Sequence, residues 1–239
     1  SGTSYNGENS SWNYYVDDSG NNSNNGLTDS TPWATLAYAI SQAEDGTATI
    51  VNVGAGTYTE HSLNVNKSDL TIKGAGSSST IFDANTSDQF LAITASDVTI
   101  EGIKIKDYVS DNNSSDNAYA GAAIRVGAVE GTRYATSSLS GITLKDIYFK
   151  DNITSSYGGD GGAVHINHNS SATTTVTISG CIFDGNQTTS SSGWPHGGAL
   201  TANSGNNVTI ENCVFFDNHA YKAGGAIAFY ADNTSTLTI

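Results

Sequence analysis

A chain of 239 residues with 9 Lys+Arg against 23 Asp+Glu has a formal charge of -14, so nucleic acid and anionic membranes are not expected partners: the protein's own field repels both. No apolar run approaches the roughly 18 residues of a bilayer-spanning helix, and direct membrane insertion of this segment is not expected either. Only 13% of the residues are charged while glycine alone numbers 26, a composition that suits short strands joined by many turns.

The opening SGTSYNGENS has neither a Met nor an apolar leader and reads as a trimmed terminus. The stretch DDSGNNSNNGLTD (17–29) is dense in side-chain oxygens. Calcium is a candidate ligand there, although the stretch is out of frame with an EF-hand loop and its Asp and Asn residues serve equally for Asx turns. No other cofactor is implied, and none is required by any motif. Next, STPWATLAYAISQAEDG (30–46) predicts a short amphipathic helix, with Ser30 or Thr31 as N-cap, Pro32 in the first turn and an apolar face through Trp33, Leu36, Ala37, Ile40 and Ala43. Such a helix would lid the first strand, TIVNV (49–53), because the end of a stacked sheet exposes both apolar surface and unpaired backbone.

From Leu70 onward two kinds of short strand alternate. One recurs as LTIKG, VTIEGIKIKD, ITLKDIYFKDN, VTISGCIFDGN and VTIENCVFFDN, with LTI from Leu237; the other as GAAIRV (121–126), GGAVHI (161–166), GGALTA (197–202) and GGAIAF (224–229). The spacing between successive Ile72, Ile100, Leu144, Ile178 and Ile210 is uneven, which a parallel β-helix tolerates because each coil can bulge outward without disturbing its neighbours. Within a coil, Val176, Ile178, Cys181 and Phe183 keep a two-residue period that slips once near Gly180, as a bend between two strands requires. Phe149, Phe183 and Phe215 should then stack about 4.8 Å apart. Cys181 and Cys213 should be free thiols of one interior column, and Asn152, Asn186 and Asn218 should form a ladder that satisfies the turn amides.

Chemistry-bearing residues are sparse. Lys150 beside Asp151, with Asp184 and Asp217 in later coils, is the one arrangement compatible with a base next to acidic metal ligands, and Asp151, Asp184 and Asp217 are spaced as a vertical carboxylate series. His165 and His168 stand three apart and point to opposite faces of a strand. His196 shares the loop SSGWPHGGA with Trp194, and with Tyr157 of the preceding coil these form the candidate ligand-binding residues, aromatic platforms with a polar handle for a sugar ring.

With these motifs in view, the chain resembles the right-handed parallel β-helix superfamily. YYVDDSGNNSNNGLTDSTPWATLAYAIS with VNVGAGTYTE is similar to the first coil and cap of secreted pectate-lyase-like proteins, many of which act on or bind acidic polysaccharides. GGAV, GGAL and GGAI alternating with FKDN, FDGN and FFDN resemble the repeats of polymorphic outer-membrane proteins and of bacterial or archaeal surface adhesins. The fold expected is therefore all-β: a single-stranded right-handed parallel β-helix of five to six coils with an N-terminal helical cap. It forms one domain, 1–239, with the cap region at 1–48 and the coils at 49–239, in a fragment of a longer protein.

The functional expectation is a secreted or cell-surface, non-catalytic adhesin-like module. Its loops 108–120, 127–138, 153–160 and 187–196 would bind a polysaccharide or a cell-surface glycoprotein. The alternative implied by the first resemblance is a polysaccharide lyase or hydrolase acting on an acidic polysaccharide.

Overall fold

The computed structural model describes residues 11–83, 88–111, 120–129, 132, 137–157, 159–167, 173–193 and 195–239. One coil runs through Thr174–Ser179, Ile182–Asp184, Gln187–Thr188 and Leu200–Ala202, then returns as Asn206–Glu211 beside its own start. Repeating this path builds four sheets of eight, six, four and six strands, every neighbouring pair parallel. The result is the right-handed β-helix read from the repeats. Ahead of the first expected strand, Trp12–Val16 lies in register on Thr49–Val53, with Val16 opposite Val53.

The bends follow from backbone chemistry. Gly102, Asp146, Gly180 and Asn212, each just before Ile103, Ile147, Cys181 or Cys213, have φ between 52 and 67, the left-handed conformation that Gly, Asn and Asp adopt at least cost. Each shifts the alternation by one residue, so Ile147 and Cys181 stay inside. A second left-handed position, at Asp107, Asp151, Gly185 and Asp217, turns the chain again before the Asn column.

Inside, the predicted columns are present. Phe149 and Phe183 rings stack with centroids 4.7 Å apart and planes 14° apart, Phe183 and Phe215 at 4.6 Å and 2°. Asn152 Nδ2 donates to Asn186 Oδ1 at 2.9 Å and to the Ile105 carbonyl at 3.0 Å. Asn186 repeats the pattern with Asn218 and Phe149, and its own Oδ1 also accepts the Asn152 backbone N–H at 3.1 Å. Asn186→Leu orphans these groups at a site with 0% exposure. It is expected to destabilise the protein by roughly 3 kcal/mol in urea unfolding; an unchanged midpoint would make the ladder decorative.

The helix is shorter than predicted, Leu36–Gln42, and its N-cap is Thr35, not Ser30 or Thr31. The reason is tertiary: Trp33 bridges to Val16 and its N–H donates to the Tyr15 carbonyl at 2.8 Å, which keeps the preceding residues extended. The Glu60 carboxylate then accepts the first-turn N–H groups of Leu36 and Ala37 at 2.6 and 2.7 Å. Leu36, Ala39 and Ile40 are buried over the first coil, while Ala37 faces out.

Candidate functional site

The acidic N-terminal stretch folds on itself. Asp17 Oδ1 accepts from the Ser19 N–H and hydroxyl, Asn21 from the Ser23 N–H and Asn25 from the Leu27 N–H, while Asn22 Oδ1 accepts the Ala34 N–H at 2.9 Å. The bonds at Asp17, Asn21 and Asn25 span two residues and are Asx turns. Among the described residues no group of three or more His, Cys, Asp or Glu side chains is arranged to hold a metal ion.

Lys150 does not have the setting of a general base. Its Nζ lies 2.9 Å from Asp184 Oδ2 and 3.2 Å from Asp151 Oδ2, and hydrogen bonds to both carboxylates raise its pKa, holding it protonated where a base must be neutral. Nor do Asp151, Asp184 and Asp217 form one vertical series. Asp184 is in register with Lys150 and Phe216, one position before the left-handed column that holds Asp151, Gly185 and Asp217.

His165 sits at the centre of Val164–Ile166, where alternation turns it out of the coil between two inward residues. It is nonetheless 2% exposed. Its Nδ1 has no hydrogen-bond partner among the described residues. Burial, and then the neighbouring Arg125 charge, pull its pKa down to about 3, so it is a neutral wall residue. His168 and Trp194 lie outside the described residues, as do parts of the loops 108–120, 127–138, 153–160 and 187–196.

His196 is different. The first glycine of each GGA element is left-handed, Gly161 at φ 65 and Gly197 at φ 63, and the Gly161 N–H donates to the His196 carbonyl at 3.0 Å. The residue immediately before each pair is thereby set beside its counterpart in the next coil: Asp160 next to His196. Asp160 Oδ1 accepts the His196 backbone N–H at 2.8 Å and lies 3.6 Å from His196 Nδ1. From the following coil, Tyr230 folds its ring edge-on to the imidazole, centroids 5.4 Å apart at 80°, and its hydroxyl is hydrogen-bonded to His196 Nδ1. Thr201 Oγ1 donates to the His196 carbonyl at 2.8 Å and fixes the turn.

Three consecutive coils thus bring a carboxyl, an imidazole and a phenol to one point. The Asp160 side chain is 6% exposed and that of His196 14%. Burial pushes the Asp160 carboxyl up to about 7, against the pull of the His196 N–H, so it exchanges a proton near neutrality. The Tyr230 phenol is raised by burial and by Asp160, which keeps it a proton donor. Tyr157, three residues before Asp160, is 45% exposed, and Tyr230 is 37% exposed. Of the candidate ligand-binding residues, Tyr157 is exposed, while the bridge to Ala223 draws His196 against the wall. Asp160 and Tyr230 were missed.

No family model matches the chain, and no curated protein matches it. Among solved structures it is similar to pectin methylesterase PemA from Erwinia chrysanthemi (13% identity over 87% of this chain and 67% of that one, TM-score 0.44). A rhamnogalacturonan lyase matches at 17% identity over 92% of this chain and 61% of its own length, TM-score 0.46. Carrot pectin methylesterase matches at 10% identity over 98% of this chain and 91% of its own, TM-score 0.38. The likeness is one of fold. Against the expectation of a non-catalytic, adhesin-like module, the matched structures carry the names of two pectin methylesterases and a lyase, and none of the three is named as an adhesin.

Proposed function

We propose that the chain is a polysaccharide-degrading enzyme of the extracellular space. Asp160, His196 and Tyr230 are its proton-transfer set, and the exposed Tyr157 is its sugar platform. The observation that carries this reading is the meeting of a carboxyl, an imidazole and a phenol from three coils: the phenol is hydrogen-bonded to the imidazole, and the carboxyl, which titrates near pH 7, accepts the His196 backbone N–H and lies 3.6 Å from its Nδ1. Such a set favours elimination on a uronate-containing, acidic polysaccharide: it is not the pair of carboxyls that most glycosidases take. His196 removes the proton on the carbon next to the uronate carboxylate. The glycosidic C–O bond breaks as the new C=C bond forms, and Tyr230 protonates the departing oxygen. With the substrate proton on Nε2, the imidazolium passes its Nδ1 proton to the phenolate along the hydrogen bond between them, which leaves a neutral imidazole protonated at Nε2. Asp160 orients the imidazole through its turn and supports the transient positive charge.

The charge of -14 repels a polyuronate, so turnover is expected to rise with added salt or calcium, which screen or bridge the two. The test is the appearance of unsaturated products from pectin, alginate and glycosaminoglycans, with a reducing-end assay in parallel. Tyr230→Phe and His196→Ala are each expected to lower turnover by about 10²–10⁴-fold. Reducing ends without unsaturation would assign hydrolysis, with Asp160 as a general acid of raised pKa. No turnover on any of the three substrates, or turnover indifferent to His196→Ala, would end the proposal.

A further inference from the structure

Away from that set, the outer face of the eight-stranded sheet carries a cavity of about 300 Å³. Along it runs a row of register partners on three neighbouring strands: Tyr15 opposite Asn52, and Asn52 opposite Lys73 of Leu70–Gly74. Alternation turns all three outward, because Val16, Val53 and Ile72 beside them are buried. The next residue of the row, Glu101, pairs with Lys73 Nζ at 3.2 Å. Asp29 and Pro32 line the cavity from the chain that returns beside the row, held there by the bridge between Trp33 and Val16. Asp17 borders it as well: its Oδ1 accepts the Ser19 N–H at 3.0 Å, and its Oδ2 lies against Gly54, where a Cβ would come within 2.5 Å of it.

The lining selects among ligands by its chemistry. The Asp17 and Asp29 carboxylates only accept hydrogen bonds, the Lys73 ammonium only donates them, and the Asn52 amide does both. A metal cation would meet the ammonium, while a uronate, sulfate or phosphate would meet two carboxylates against one ammonium already shared with Glu101. A ring bearing several neutral hydroxyls uses the whole set, since each hydroxyl both donates and accepts. Tyr15 and Pro32 offer apolar surface to its C–H face. A volume of about 300 Å³ stands at the lower end of ligand-sized pockets and suits a sugar ring. We propose that this cavity binds a neutral sugar residue. It is separate from Asp160, His196 and Tyr230, which belong to later coils, and it extends the proposed function without resting on it, because binding here needs no turnover.

Isothermal titration and amide-shift mapping of the intact chain with galacto-, arabino-, xylo-, manno- and cello-oligosaccharides test this, with trigalacturonate as the charged counterpart. The expected result is saturable binding of at least one neutral oligosaccharide, with shifts centred on Tyr15, Asn52 and Lys73, and trigalacturonate bound about 10-fold more weakly or not at all. Asp29→Ala and Lys73→Ala change exposed side chains and should each lower the neutral affinity by about 10-fold. His196→Ala should retain that affinity, so loss of this site and loss of the proton-transfer set are told apart. Binding of none of the neutral oligosaccharides would overturn the proposal. So would trigalacturonate bound as tightly as they are, or an affinity indifferent to both Asp29→Ala and Lys73→Ala.

Discussion

Phe183→Ala is expected to cost about 3–5 kcal/mol in equilibrium unfolding. Phe183 is 0% exposed and is the middle ring of its stack, in contact with Phe149 on one side and Phe215 on the other. Its removal opens a hole that the neighbouring coils cannot close, because their spacing is fixed by strand hydrogen bonds at about 4.8 Å. Phe215→Ala should cost clearly less, since that ring is only partly buried. Each coil of a solenoid leans mainly on its nearest neighbours, so the damage should also be local: hydrogen exchange should accelerate first in Ile182–Asp184 and Val214–Phe216. Equal losses for the two variants would mean that the rings do not act as a column.

That column was legible in the sequence because it repeats. The Phe and Asn positions, the inward Val and Ile, and the slip at Gly180 all recur at equivalent places, and a repeated local pattern can be read without knowing what it packs against. The helix start was not legible in the same way: Thr35, and not Ser30 or Thr31, is the N-cap because the contacts that set it come from Tyr15, Val16 and Glu60. The Asp series failed for a subtler reason. Asp151, Gly185 and Asp217 share a backbone conformation rather than a chemistry, so counting carboxylates grouped Asp184 with the wrong neighbours.

The candidate site was half legible. His196 stood out as a rare residue beside Trp194, but Asp160 occupies the same place before its own GGA element, and comparing what precedes each pair of glycines (Asp160, His196, Ala223) would have found it. Tyr230 carried no such signal. It follows a strand instead of preceding one, and only its folded-back ring brings it to the imidazole. The function expected from the adhesin-like repeats was misplaced for a related reason: those glycines and asparagines serve the winding of the chain, and any protein so wound would use them whatever it does.

Asp160→Asn gives the sharpest separation between a structural and a catalytic role for the cluster. A buried carboxyl whose folded pKa is about 7, against about 3.9 in an unfolded chain, binds its proton more tightly when folded. The stability it permits is fully present below the unfolded value and is lost as the pH rises to the folded one, about 4 kcal/mol in all. Asn keeps an oxygen for the His196 N–H and has no proton to lose, so the variant should be more stable than the wild type at pH 8 and close to it at pH 4. Turnover at neutral pH should meanwhile fall by about 10²-fold or more. A carboxyl that weakens the fold at neutral pH and is needed for turnover has the signature of a functional residue, since sites that do chemistry give up stability for it. A variant less stable than the wild type at every pH, with activity falling only in proportion to the folded fraction, would reduce Asp160 to a turn residue.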